Sequence, residues 1–126
     1  MFASISSAVL IGAQGYPVRV EAHVGKGLPG FSIGGLPDES VREARDRTRA
    51  AILSTGLQFP SHKVTLNLAP SDQPKSGSAM DLAIAIGILA ASGAVPPESV
   101  DTLSFIGELG LDGSLRPVPG VAPMVG

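Results

Sequence analysis

Between residues 17 and 24 apolar and polar positions alternate. Val18, Val20, Ala22 and Val24 fall on one side; Arg19, Glu21 and His23 fall on the other. A period of two predicts a strand with one packed face and one wet face. Residues 3–11 read as a strand before it, and Gly12-Ala13-Gln14-Gly15 between the two signals a hairpin. Phe31-Ser32-Ile33 predicts a third strand. The period then lengthens. From Pro37 to Thr55, Val41, Ala44, Thr48, Ala51 and Ile52 recur at helical spacing and form a face to be buried. Pro37 suits the first turn, Asp38 and Glu39 suit the positive end of the helix dipole, and Gly56 suits the stop.

Val64-Thr65-Leu66-Asn67-Leu68 predicts a fourth strand, followed by a loop over 69–77. A second helix is expected from Ser78 to Ser92, ending at Gly93. Beyond Asp81 it carries no charge and is apolar on nearly every side, so it should be the central buried helix, with Ile84 and Ile88 on the face of Asp81. Leu103 to Glu108 reads as a strand. Leu111-Asp112-Gly113 turns it into a last strand over Ser114 to Val118, because Asp-Gly between strands is a strong hairpin cue. The order β-β-β-α-β-α-β-β predicts an α/β fold, layered α+β in character, with helices packed on a mixed sheet.

Composition narrows this picture. A chain of 126 residues predicts one domain spanning 1–126. With four Phe, one Tyr and no Trp, its core must be aliphatic. There is no Cys, which removes disulfides and thiolate metal sites. His23 and His62 stand far apart and read as packed or surface residues. The formal net charge of −2 gives no whole-domain footprint for nucleic acid, although a local basic stripe stays open. Neither a signal sequence nor an apolar run long enough for a bilayer occurs, so a cytoplasmic location and no membrane partner are expected.

Such a stripe is present on the first helix. Arg42, Arg45 and Arg49 share one face. Asp38–Arg42 and Glu43–Arg47 are spaced as i,i+4 pairs, whereas Arg45 and Arg49 have no such partner and repel each other. A solvated charged face, a phosphate contact and a subunit contact are all consistent with that pattern. Gly25-Lys26-Gly27-Leu28-Pro29-Gly30 matches G-x-G-x-x-G, but a strand follows it rather than a helix, so it reads as an inter-strand loop. No Walker A pattern occurs. Asp72 and Asp81 flank the 69–77 loop without histidines or further oxygen ligands, which is weak evidence for a metal. Ser78 is the one nucleophile candidate. Ser78-Ala79-Met80-Asp81 also fits a capping box, which needs no catalytic role. The nearby Lys75 lies in a loop, where a buried, deprotonated amine is hard to arrange.

Two stretches resemble a Lon-type serine–lysine protease. Gln73-Pro74-Lys75-Ser76-Gly77-Ser78-Ala79-Met80-Asp81 is similar to its nucleophile loop, and Gly107 to Ala122 is similar to the hairpin leading to its lysine. Ala122 stands at the lysine position. The loop is one residue shorter than in Lon and has no proline before Ser78. A serine without a base is not a nucleophile at neutral pH, so the resemblance implies a vestigial position at Ser78 and no catalytic residue.

The wider motif set resembles the N-terminal domain of the ComM/YifB family, the magnesium-chelatase-like, ChlI-related AAA+ ATPases. It is carried by Gly27-Leu28-Pro29-Gly30-Phe31, Gly35-Leu36-Pro37-Asp38, Val41 to Arg47, Asn67-Leu68-Ala69-Pro70, Pro74 to Leu82 and Gly107 to Val118. The resemblance implies a Lon-like, ribosomal-protein-domain-2-like fold, cut from a longer parent whose ATPase module, with ATP and Mg, lies after residue 126. It implies a homo-hexamer and a role in DNA processing of the helicase or branch-migration type. Arg45, Arg49 and Lys75 are the candidates for contact with DNA or a neighbouring subunit. Two alternatives accompany this reading: an ATP-dependent Lon-like protease using Ser78, and a chelatase-type accessory ATPase.

Overall fold

A computed structural model describes residues 2–11, 14–35, 38–69, 79–100 and 102–116. β1 (Phe2–Ile11) and β2 (Gln14–Gly25) form an antiparallel hairpin in which Ile5 faces Val20. β4 (Lys63–Ala69) lies on the other side of β2, antiparallel, with Val20 opposite Leu68. β3 (Gly30–Gly34) adds to β4 in parallel, giving the order β1-β2-β4-β3. The parallel pair requires a crossover, and the helix α1 (Glu39–Ser54) supplies it. The sheet is mixed and the element order is the expected one.

Alternation decides the layers. Ala3, Ile5, Val9, Val18, Val20, Ala22, Val64, Leu66 and Leu68 are all buried, on the face that the helices cover. Onto it packs α2 (Asp81–Ala91), buried along almost its whole length, with Ile84 and Ile88 fully enclosed. Gly87 lets α2 approach closely: a Cβ there would sit 3.4 Å from Ala22 Cβ and 3.6 Å from Ile5. From α1 the buried face is Val41, Ala44, Thr48, Ala51 and Ile52, as its spacing predicts. Thr48 is polar yet satisfied, since its hydroxyl donates to the Ala44 carbonyl at 2.6 Å. Gly35 leads the chain from β3 towards α1. Its φ is +96°, and a Cβ would lie 2.1 Å from the Leu68 carbonyl oxygen, so only glycine passes there.

Three expectations change. First, α2 starts at Asp81, not Ser78, and its N-cap residue Met80 makes no side-chain cap bond. The Asp81 carboxylate bonds Arg47 and the Leu109 amide. Second, Leu103 to Glu108 is not a continuous strand. Ser104 makes one parallel bridge to Ser6, and the Phe105 amide donates to the Ser6 carbonyl at 2.9 Å. The chain then turns towards α2: the Gly107 amide donates to Ala79 O at 2.8 Å, and the Leu82 amide donates to Gly107 O at 3.0 Å. Both Gly107 backbone groups serve the start of the helix, which removes them from any ladder. Regular pairing resumes only in β5 (Glu108–Leu109) with β6 (Leu115–Arg116). Third, Asp38 does not pair with Arg42. Its carboxylate caps α1 by accepting from the Val41 amide at 2.9 Å, and Arg42 instead lies 3.9 Å from Glu39. The Glu43–Arg47 pair forms as expected, at 3.7 Å.

The β5–β6 turn confirms the Asp-Gly cue. Asp112 accepts from the Ser114 amide and hydroxyl at 3.0 and 2.7 Å. Gly113, at φ +89°, packs so tightly on the end of α1 that a Cβ would meet Thr55 at 2.8 Å. Among the described residues no helix is long and apolar enough to cross a membrane.

Candidate functional site

Ser78, Lys75, Asp72 and Ala122 lie outside the described residues, so the geometry around the nucleophile position is not part of the described fold. Next to it the structure shows an anchor that the sequence reading missed. Asp81, on the first turn of α2, is 1% exposed. Arg47 of α1 reaches it with two hydrogen bonds, Nε to Oδ2 at 2.7 Å and Nη2 to Oδ1 at 2.9 Å. The Leu109 amide of β5 donates to Oδ2 at 3.1 Å. One carboxylate thus ties together α1, α2 and the hairpin. Burial lifts the Asp81 carboxyl above its ordinary value; the Arg47 hydrogen bonds and the Leu109 amide pull it back without cancelling the lift. The Arg47 guanidinium is raised, first by its hydrogen bond to Asp81 and against the desolvation of its own partial burial. Its alkyl stem and guanidinium are mostly covered, with 20% of the side chain exposed.

The other arginines of α1 face outward. Arg45 and Arg49, singled out by spacing, are both exposed and line one groove with Asp46, Phe31, Phe59 and His62. The groove encloses about 370 Å³. A second hollow of about 250 Å³ shares Phe31 and Arg45 with it and adds Arg42, Ser32 and Ile33. The two form a track along the outer side of α1, beside the edge strand β3. Phe31 and Phe59 stack with ring centres 5.6 Å apart and planes 24° from parallel. The Arg49 guanidinium lies 5.8 Å from the Phe59 ring centre. Neither Arg45 nor Arg49 makes an ion pair among the described residues. The structure therefore brings Arg45 and Arg49 together and adds three residues the sequence did not connect to them: Phe31 from β3, and Phe59 and His62 from the segment before β4.

The opposite face of the sheet is also polar, but its groups bond one another. Arg19 Nε donates to the Ser4 hydroxyl at 2.9 Å, and Arg19 also bonds the Ser6 hydroxyl. Asn67 donates to Glu21 at 3.0 Å. On that face Arg19 is held by Ser4 and Ser6, whereas Arg45 and Arg49 make no ion pair among the described residues. The glycine-rich loop after β2 runs directly into β3, so no helix N-terminus stands behind it to hold a phosphate chain. Among the described residues no three His, Asp or Glu side chains come together to hold a metal ion.

The family described as subunit ChlI of Mg-chelatase matches residues 20–126. An uncharacterized protein, YifB of Escherichia coli, is 47% identical over 116 residues, covering 92% of this chain and 23% of its own length. The competence protein ComM of Haemophilus influenzae is 43% identical over 123 residues, covering 98% of this chain and 24% of its own length. An uncharacterized protein of Mycobacterium tuberculosis is 43% identical over 119 residues. The chain thus spans about a quarter of the length of these relatives. With the match running through β2, α1, α2 and the hairpin, the chain belongs to the Mg-chelatase ChlI-like AAA+ family, in its ComM/YifB group.

Proposed function

We propose that this chain is a non-catalytic, Lon-like N-terminal domain of a cytoplasmic DNA-processing AAA+ motor of the helicase or branch-migration type. In that role it serves DNA contact or assembly, while ATP and Mg bind a separate module of a homo-hexameric parent. The observation that carries this reading is the exposed groove built by Arg45 and Arg49 in a relative of a competence protein. Arg47, two residues from each, is consumed by Asp81; these two are left for an outside anion. Arginines on a helix face, without carboxylate partners, suit a phosphate backbone. Lys75 remains a third candidate.

The test is DNA binding by the full-length protein at two salt concentrations, with Arg45→Ala/Arg49→Ala beside the wild type. Loss of phosphate contacts lowers affinity and flattens the salt dependence. Unchanged affinity and slope with an intact hexamer would move DNA contact to another domain. A broken hexamer would make the groove a subunit interface. The absence of protease chemistry has its own check: labelling of Ser78 by a fluorophosphonate probe would overturn it. The family's chelatase description supports a second reading, an accessory ATPase acting on a small molecule. A parent whose ATPase rate responds to Mg and a small-molecule metal acceptor but not to DNA would favour it.

A further inference from the structure

The groove on α1 combines two chemistries that a phosphate site alone does not need. Cations come from Arg42, Arg45 and Arg49, flat apolar surface from the Phe31–Phe59 stack. We propose that it binds a single strand of nucleic acid. An unpaired base stacks at the Phe31, Phe59 and Arg49 array, and flanking phosphates lie on Arg45 and Arg42. The inference rests on the DNA contact proposed above and adds which form of DNA the groove takes.

Six observations carry it. The chain has only five aromatic residues, and its core is aliphatic, yet two of the five stack on each other at the wall of an open groove. Both rings lean on the core by one side and are half-buried, so part of each ring meets the hollow. The Arg49 guanidinium lies over the Phe59 ring, 5.8 Å from its centre, so a planar cation that itself stacks on bases caps the aromatic pair. The second hollow continues from the first through the shared Phe31 and Arg45, so cations succeed the aromatic wall along a track, as successive nucleotides require. The track's charge is local: Arg45 and Arg49 face one aspartate, Asp46, and Arg42 follows with Glu39 3.9 Å away, in a chain whose net charge is −2. Asp46 and His62 stand in the aromatic hollow as polar partners for a base edge.

Strand form follows from geometry. A base paired within a duplex has both faces covered by its neighbours and cannot reach an aromatic wall. A duplex gains only the phosphate contacts here, whereas a single strand gains these and stacking. Stacking also tolerates any base, so little sequence preference is expected.

The experiment measures binding of the full-length protein to three probes: an oligo-dT strand, a duplex of equal length, and an abasic strand that keeps the phosphates but lacks bases. Phe59→Leu should weaken oligo-dT binding about ten-fold, with the abasic strand and duplex within about two-fold of wild type. Phe59→Tyr should restore it. Because Phe59 also leans on the core, thermal unfolding accompanies each variant, and the wild type is titrated with a strand carrying a fluorescent adenine analogue. Quenching of that base on binding is expected and needs no variant. Equal wild-type affinity for oligo-dT and the abasic strand, or an unquenched analogue, would overturn the inference. If Phe59→Leu changes nothing while Arg45→Ala/Arg49→Ala weakens every probe, base stacking falls and DNA contact by this face stands. If the arginine double variant also changes nothing, both fall.

Discussion

Arg47 and Arg49 sit two residues apart on α1 and meet opposite fates. Arg47 turns inward to a buried carboxylate and completes a three-element knot with Asp81 and the Leu109 amide. Arg49 turns outward and rests near Phe59 on the wall of an open groove. Helical rotation of about 100° per residue separates them by more than half a turn, so one helix serves both the interior and the surface. The difference teaches how to read arginines in a basic stretch. One whose charge is already answered inside the molecule is a structural part. One whose charge is not answered is available to a partner.

The sharpest way to break this contrast is Arg47→Ala. It leaves Asp81 buried without its cation, and loss of one partner of a buried pair costs about 3–5 kcal/mol. Urea unfolding at neutral pH reads the effect. Its pH dependence has a definite sign. Burial already raises the Asp81 carboxyl in the native protein, and removing Arg47 raises it further. The native state then holds a proton at pH values where the unfolded chain, near about 3.9, does not. The variant's deficit should be full above the raised native value and shrink as pH falls towards the unfolded value. A deficit that grows on acidification would show that removing Arg47 lowers the Asp81 carboxyl instead of raising it. Adding Asp81→Leu should recover part of the loss, but not all, because the Leu109 amide would still lack its acceptor.

Ile88→Ala sets an apolar benchmark in the same interior, with a loss of about 2–5 kcal/mol from transfer and cavity. A change below about 0.5 kcal/mol, a surface-sized effect, would mean that α2 is not the centre of the core. Asp38→Ala, which removes the cap of the helix carrying both arginines, should cost about 0.5–2 kcal/mol in thermal unfolding. The smallest effect belongs to the groove. Arg45→Ala/Arg49→Ala should move stability by less than about 0.5 kcal/mol while it weakens DNA binding. A large loss of stability there would erase the distinction between the two arginine classes.

Much of this was legible in the sequence. Period-two and helical spacing placed β1 to β4 and α1, and every residue assigned to the buried face of α1 is buried. The exposed pair Arg45 and Arg49 followed from the same spacing. What spacing does not carry is partnership across the chain. Asp81 was visible as the one charge on an apolar helix, a signal that some cation must answer it, but its link to Arg47 spans 34 positions. Arg47 already had a local partner in Glu43, which masked the stronger one. Phe31, Phe59 and His62 come from two further segments, and only the arrangement of β3 and the approach to β4 sets them beside α1. The broken strand after Leu103 failed for a related reason. Its composition favours extension, yet Gly107 gives both its backbone groups to α2.

The sheet order carries a last consequence, for the order of assembly. β3 precedes α1 in the chain but bonds to β4, which follows it. During synthesis from the N-terminus, β1 and β2 can zip as a local hairpin, whereas β3 must wait until all of α1 and then β4 have emerged. β4 slots between β2 and β3, so its arrival closes both ladders together. Phe31 rides on β3 and Phe59 on the segment leading into β4, so the aromatic wall exists only once that strand is seated. The groove therefore depends on the strand that makes the sheet continuous: without β4 seated between β2 and β3, the arginines of α1 have no aromatic wall beside them.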